Sequence, residues 1–249
     1  MLDHSALSPN HFYMNATKRP AHAPTVITFA SSKGGVGKST CSAAIAGALA
    51  ARGDKVTILD LDDNGTLFRW HQKHGAKLRN IAVTRAAPDT FNDTLNQAKA
   101  TDARYIIIDV AGAFEATMIK AIAASTVVIT PAKLSEPDLR EAGKILAEVN
   151  AFNQRFNADI QHRVLINEAE SLNPMYQRHA LAEVDASALV RFEHLMNRRA
   201  PYREIFITGY PPHFAGKGRA TVEKAVTELN DIVAEIDAIL TNTTKAKAA

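Results

Sequence analysis

The sequence predicts an α/β protein with a mostly parallel, twisted β-sheet flanked by helices on both faces. Short apolar runs alternate with helix-like segments along the chain, the order that joins parallel strands by right-handed crossovers. The apolar runs show no polar alternation, as expected for strands buried on both faces. The chain has 249 residues, 46% of them hydrophobic, so it can bury one large core without disulfides.

The elements follow from these runs in chain order. Strands are predicted at 26–30, 56–59, 81–83, 105–108, 126–129 and 163–166. Helices are predicted at 40–51, 66–74, 88–100, 114–124, 135–152, near 174–184 and at 221–240. The first helix is rich in Ala and suits close packing on a sheet, and the last has apolar residues at helical spacing. Residues 1–23 are polar and aperiodic and are expected to form a flexible arm, 24–240 a single domain, and 241–249 a frayed tail.

Composition restricts the class of protein. Cys41 is the single cysteine, so an internal disulfide is excluded and a reducing, cytoplasmic compartment is expected. The first residues lack the apolar core of a secretory signal, and no apolar run is long enough to span a bilayer. A net charge of +3 and a pI near 8.9 permit contact with nucleic acid without requiring it.

A glycine-rich loop follows the first predicted strand. Gly34, Gly35, Val36, Gly37, Lys38, Ser39 and Thr40 stand in this order before the Ala-rich helix. This strand–loop–helix context is that of the P-loop of nucleoside triphosphatases. Glycines let backbone amides turn towards a phosphate, and the helix N-terminus adds a positive dipole. Lys38 is predicted to reach the β- and γ-phosphates of ATP, and Ser39 to ligate Mg²⁺; the alternative is a glycine-rich turn without a ligand.

With Lys33 included, the segment from Lys33 to Thr40 resembles the deviant Walker A motif of the ParA/MinD family of P-loop ATPases. The resemblance covers roughly residues 24–240. It implies that Lys33 reaches across an ATP-dependent homodimer to the partner's phosphates, as an arginine finger does in trans. The alternative is a solvated surface lysine.

The same resemblance assigns the acidic and amide residues that follow later strands. Asp62 matches the acid that positions or activates the attacking water, Asp60 supports Mg²⁺, and Asp109 is the Walker B acid that holds Mg²⁺ through water. Asn167 matches a residue placed against the adenine edge. The family often has Pro-Gln where Asp63 and Asn64 stand, which leaves the switch role of this loop open, and Val110 and Ala111 replace its usual Thr-Pro. Turn or cap roles are the alternatives for Asp62 and Asn167.

A segment near 197–204 resembles the part of ParA-type ATPases that precedes a short helix. In that family, basic residues here and on the last helices bind DNA without sequence preference. The matching positions are Arg198, Arg199, Arg203, Lys217, Arg219 and Lys224. A solvated polar face is the alternative.

The resemblance implies a weak ATPase, stimulated by a partner and by DNA, that positions or segregates DNA or protein cargo. Its partners would be a second copy, nonspecific DNA, and an adaptor such as a ParB-like protein or a relaxosome component, and its location nucleoid-associated. The run from Asp63 to Trp70 is similar to a branch that includes relaxosome-accessory and cargo-positioning ATPases, although the apolar residues in it also fit simple packing. A MinD-like membrane ATPase and a metabolic P-loop enzyme are the alternative functions; acidic residues on the last predicted helix argue against anionic lipid.

Overall fold

The computed structural model describes residues 23–112, 116–216 and 218–248. The arm predicted over 1–23 therefore lies almost wholly outside the described residues, as does Lys217. No helix in the described ranges has the length and hydropathy needed to cross a membrane.

Seven parallel strands form the sheet, in the order β3-β2-β4-β1-β5-β6-β7. Their bounds are Thr25–Phe29 (β1), Val56–Asp60 (β2), Ile81–Arg85 (β3), Tyr105–Asp109 (β4), Val127–Ala132 (β5), Gln161–Ala169 (β6) and Met196–Asn197 (β7). All seven are parallel, which confirms the predicted α/β class. The sequence predicts a sheet that is only mostly parallel. In the register, Asp109 lies opposite Phe29 on one side and Asp60 on the other. The carboxyl ends of β1, β4 and β2 therefore meet at one level, where α/β sheets bind ligands.

The α-helices are Lys38–Ala51 (α1), Thr66–His74 (α2), Phe91–Lys99 (α3), Ala116–Ala123 (α4), Glu136–Phe156 (α5), Met175–Asp185 (α6), Ala200–Thr208 (α7) and Ala220–Ala248 (α8). Two 3-10 turns, Gly75–Lys77 and Pro212–Phe214, follow α2 and α7. One core packs α1, α2, α7 and α8 on one face of the sheet, and a second packs α3, α4 and α5 on the other. Both faces of the central strands are thus covered, which is why their apolar runs do not alternate.

The structure corrects several predicted bounds. Residues 88–90 form a turn before α3, and α5 continues to Phe156. The helix predicted to end at Leu240 runs to Ala248, since the alanines and lysines of the last residues favour helix. Strand β7 is absent from the predicted elements because two residues carry no periodic signal.

His162 on β6 is a buried histidine with a depressed pKa. Its Nε2 lies 2.9 Å from Thr130 Oγ1 on the neighbouring β5. Burial, and then the nearby Arg163, lower the pKa of His162 to about 4. The folded protein therefore holds this imidazole neutral at pH values where the unfolded chain would protonate it.

We expect His162 to make the fold less stable as the pH falls from about 6.5 towards 4, because the unfolded chain binds a proton that the folded chain excludes. By linkage, this one group lowers the free energy of unfolding by about 2 kcal/mol between pH 7 and pH 5. Urea unfolding of the wild type and of His162→Gln at both pH values measures the effect as a difference between the two proteins. An equal pH dependence in both would contradict it.

Candidate nucleotide-binding site

The loop between β1 and α1 has the backbone of a phosphate cradle. Gly35 and Gly37 have φ of 75° and 97°, values that favour glycine over any residue with a Cβ. No side chain caps the first turn of α1, and that turn carries no acidic residue. Its free amides and helix dipole are therefore available to an anion.

Lys38 folds back over this loop. Its side chain is nearly buried, and its Nζ donates a hydrogen bond to the carbonyl oxygen of Lys33 at 3.0 Å. Burial lowers the pKa of Lys38, while the charges of Asp109 and Asp62 act in the opposite direction. The ammonium thus lies against the loop and near the carboxylates of Asp109 and Asp62; its contact with the β- and γ-phosphates stays a prediction.

Ser39 and Asp109 form the hydroxyl–carboxylate pair expected at a magnesium site. Ser39 Oγ donates to Asp109 Oδ2 at 2.7 Å, and Ser42 Oγ donates to Oδ1 at 3.1 Å. Asp109 is fully buried, and this burial raises its pKa to about 7 against the effect of both hydroxyls. A nearby cation would stabilise the charged form of such a buried carboxylate. Ser42 was not singled out in the sequence, although it lies one turn after Ser39 on α1.

The donor set fits Mg²⁺ held together with a nucleotide. Among the described residues, no group of three or more His, Cys, Asp and Glu side chains could hold a metal by itself. Mg²⁺ is usually bound through one or two protein ligands plus substrate phosphates and water. The pair of Ser39 and Asp109 matches that pattern.

Asp60 is buried beside Asp109 but is engaged by backbone amides. Its Oδ2 accepts from Phe68 N at 2.8 Å, and its Oδ1 accepts from Asp62 N at 3.1 Å. Asp60 thereby fastens the first turn of α2 and the loop that carries Asp62. That Asp60 also supports Mg²⁺ stays a prediction.

The loop after β2 orients Asp62. The Oδ1 atom of Asp62 accepts from both the backbone N and the side-chain Nδ2 of Asn64, at 2.9 and 3.0 Å. Asn64 stands where the family often has another residue, and here it holds the predicted water-positioning carboxylate. Gly112, three residues after the end of β4, approaches the P-loop so closely that a Cβ there would lie 3.3 Å from the backbone N of Gly34.

Lys33 is held within its own chain. Its Nζ forms an ion pair with Asp138, which is buried near the N-terminus of α5. The other oxygen of Asp138 accepts from Lys133 N at 3.0 Å. In this conformation the Lys33 side chain therefore points towards α5 of its own chain, and its charge is paired with a buried carboxylate. The sequence did not single out Asp138, which is far from Lys33 in the chain.

Asn167 supports the P-loop directly. Its side chain is buried, and its Nδ2 donates to the carbonyl oxygen of Val36 at 2.9 Å. A Cβ added to Gly37 would lie 2.1 Å from the same nitrogen. The structure thus brings Asn167 to the nucleotide site, in contact with the loop; its contact with adenine stays a prediction.

Three of the cations predicted to bind DNA have acidic partners in the chain. Arg199 is mostly buried and pairs with Glu228 of α8. Arg198 lies 3.4 Å from Glu168, and Arg219 pairs with Glu204. Within the described part of the chain, Arg203 and Lys224 are exposed and have no such ion pair. The DNA contacts of this set stay a prediction, now with a weaker electrostatic basis.

The family of the chain follows from comparison with known proteins. The family model described as VirC1 protein matches residues 25–209, from β1 to the end of α7. The chain belongs to the VirC1 family.

Other relatives of this VirC1-family chain place it among ParA/MinD-like P-loop proteins. It is 26% identical over 164 residues to a ParA protein of Rhizobium radiobacter, covering 66% of this chain and 72% of that one. The MinD cell division protein of Aquifex aeolicus superposes with a TM-score of 0.67 at 17% identity, covering 84% and 97% of the two chains. A candidate plasmid partition protein of Borrelia burgdorferi B31, bound to AMPPNP, gives a TM-score of 0.62 at 17% identity and covers 85% and 99%. These likenesses confirm the predicted P-loop fold and the ParA/MinD resemblance.

Proposed function

We propose that this protein is an ATP-dependent, dimerising switch ATPase that binds nonspecific DNA and positions or segregates DNA or protein cargo. One observation carries the proposal: the glycine-rich loop has two lysines, Lys38 folded inward and Lys33 outside, next to half-buried Ser39 and its buried partner Asp109. An ordinary P-loop needs the inner lysine alone. The second lysine is what favours a switch over simple nucleotide binding.

Each site residue has a task in the proposed hydrolysis. The loop amides and Lys38 bind the β- and γ-phosphates of ATP, and Ser39 and Asp109 hold Mg²⁺, which neutralises phosphate charge when bound. Asp62, held by Asn64, orients the water that attacks the γ-phosphate. Positioning and electrostatic stabilisation account for most catalysis of this kind.

The dimer step follows from the position of Lys33. To reach the phosphates of a partner subunit, Lys33 must leave Asp138. The chain alone therefore provides an incomplete site, and slow turnover follows until a second copy supplies the charge. An adaptor protein and DNA would accelerate turnover by favouring the assembled dimer.

We expect Lys33→Ala to keep nucleotide binding but to lose ATP-dependent dimerisation, with hydrolysis falling at least about 100-fold because the charge supplied in trans is gone. Sedimentation velocity with a non-hydrolysable ATP analogue reports the dimer, and phosphate release reports turnover. Lys144→Ala is the matched control, since Lys144 is an exposed lysine paired with Glu141 on α5. A Lys33→Ala protein that dimerises like wild type would refute the role in trans.

The cargo role draws on the relatives. The similarity to a ParA protein supports partition, whereas the run from Asp63 to Trp70, which resembles a branch with relaxosome-accessory ATPases, supports a role in DNA transfer. Both roles need a nucleotide-controlled attachment to DNA in the cytoplasm, at the nucleoid. Retention of the protein on DNA columns that depends on ATP is the direct test, and retention indifferent to nucleotide would rule out the switch.

A MinD-like membrane role is less well supported. The apolar stripe of α8, from Val222 to Ile236, is buried in the core against α1 and α7. The same helix carries Glu223, Glu228, Asp231 and Glu235. A buried apolar face and an acidic outer face both oppose insertion into anionic lipid.

A further inference from the structure

The stretch from 64 to 88 has an unusual charge distribution. It contains five Lys and Arg residues and no Asp or Glu, in a chain with 29 cationic and 26 acidic residues overall. The five are Arg69, Lys73, Lys77, Arg79 and Arg85. This segment covers the whole of α2, the following 3-10 turn and the edge strand β3.

These cations are exposed and lack acidic partners. Arg69, Lys73, Lys77 and Arg79, here called the α2 basic surface, form no ion pair with any residue in the ranges that the structure describes. Many other cations of the chain, including Arg52, Arg191 and Arg219, are paired with carboxylates. The positive charge of the α2 basic surface is therefore not neutralised locally.

The packing of α2 directs these side chains to solvent. Leu67, Trp70 and His74 form its buried face, so Arg69 and Lys73, one turn apart, lie on the opposite side. Lys77 follows in the 3-10 turn, with its Nζ 5.4 Å from the centre of the Tyr210 ring.

Helix α7 packs beside α2. Trp70 meets Phe206 edge to face and donates from Nε1 to the carbonyl oxygen of Gly209 at 3.3 Å. Because Trp70 contacts Phe206 and Lys77 lies over Tyr210, α2 and its 3-10 turn lie beside the C-terminal half of α7 and the residues that follow it.

The chemistry of the surface selects its ligand. A row of unpaired cations at about the 5.4 Å pitch of a helix suits a regular polyanion. The large hydrophobic residues that are exposed in the described ranges lie outside α2, its 3-10 turn and β3, so the surface lacks the bulky apolar residues that insert into a bilayer. It also lacks exposed aromatic rings for stacking single-stranded bases.

We propose that the α2 basic surface binds the phosphate backbone of duplex DNA without reading its sequence. This assignment rests on the proposed DNA-binding function and moves its main contacts from the α7–α8 residues to α2. The surface is also connected to the nucleotide site, because α2 begins four residues after Asp62 and is fastened by Asp60 through Phe68 N. A change at the phosphates therefore has a direct route to the DNA contacts.

The test compares two triple variants with equal loss of charge. R69Q/K73Q/K77Q removes the surface, and K99Q/K120Q/R155Q removes three exposed cations on the α3–α4–α5 side of the sheet. Binding to short fluorescent duplexes of two unrelated sequences is measured by anisotropy over a salt series, with a non-hydrolysable ATP analogue. Phosphate release and thermal unfolding show that both variants fold and bind nucleotide.

We expect R69Q/K73Q/K77Q to weaken binding at least about tenfold for both sequences. The slope of the logarithm of the binding constant against the logarithm of the salt concentration should become shallower by roughly 1 for each phosphate that the variant no longer neutralises. The control variant should bind DNA within about twofold of wild type, because its charges lie on the other face of the sheet.

Other results would overturn the assignment in distinguishable ways. Equal weakening in both variants would mean that net charge alone matters. Wild-type DNA binding that R69Q/K73Q/K77Q leaves intact would refute the α2 basic surface but keep the proposed function, whereas a wild type that does not bind DNA would refute both. If R69Q/K73Q/K77Q lost binding to phosphatidylglycerol vesicles and not to DNA, the surface would be a lipid-binding surface.

Discussion

Lys38→Ala is expected to lower ATP affinity about 10- to 100-fold and hydrolysis at least about 100-fold, because it removes the charged donor that we assign to the phosphates. Lys38 is the buried ammonium of the loop, held over it by the carbonyl oxygen of Lys33. No other described lysine or arginine lies over the P-loop, so in the variant only water could replace this stabilisation of the negative charge of the phosphates. Isothermal titration with ATP analogues and phosphate release measure the two effects separately.

Linkage gives a second measurement of the same change. A ligand at a hundred times its Kd stabilises the folded state by about 2.7 kcal/mol. ATP at a hundred times the wild-type Kd should give wild type this stabilisation in urea unfolding, and should give Lys38→Ala only about 0.4–1.4 kcal/mol, the gain that a 10- to 100-fold weaker affinity leaves. Lys55→Ala, which removes an exposed lysine paired with Asp102, should behave as wild type. Undiminished stabilisation of Lys38→Ala by ATP would contradict the assigned site.

Gly37→Ala is the second substitution with a large expected effect. A methyl group there would lie 2.1 Å from Asn167 Nδ2, at a φ of 97° that residues with a Cβ rarely adopt. The loop must shift, so we expect nucleotide binding to fall below detection and the free energy of unfolding to fall by about 2–3 kcal/mol. Titration with nucleotide and urea unfolding measure the two effects.

Two further variants separate the causes. Gly34→Ala is the control, since a Cβ at Gly34 meets nothing within 4 Å, and its stability should change by about 0.5 kcal/mol or less. The double variant G37A/N167A removes the collision but keeps the backbone strain, so it should recover part of the stability that Gly37→Ala removes. If it recovers none, the contact between Gly37 and Asn167 is not the cause.

The elements with strong periodic or compositional signals were predicted well. Helix α2 has the predicted bounds, and β1, β2 and β4 differ from prediction by one residue at one or both ends, whereas β5 and β6 end three residues later than predicted. The errors lie where local sequence is weakly informative. Strand β7 exists because β6 offers an edge for it, and the later start of α3 depends on the turn that precedes it.

The candidate site divides in the same way. The P-loop, Lys38, Ser39 and Asp109 were found because their chemistry is local in sequence or tied to a strand end. Contacts between distant segments were not found, among them the ion pair of Lys33 with Asp138 and the pairing of Arg199 with Glu228.

The sequence by itself determined that this protein is a parallel α/β P-loop protein, because apolar runs and glycine spacing act over a few residues. Tertiary structure alone decided which charges are free. Arg198 and Arg219 have carboxylates within reach, whereas Arg69 and Lys73 have none among the described residues. The physical reason is that a charge is neutralised by whatever the fold brings within a few ångströms, and sequence distance does not reveal that neighbour.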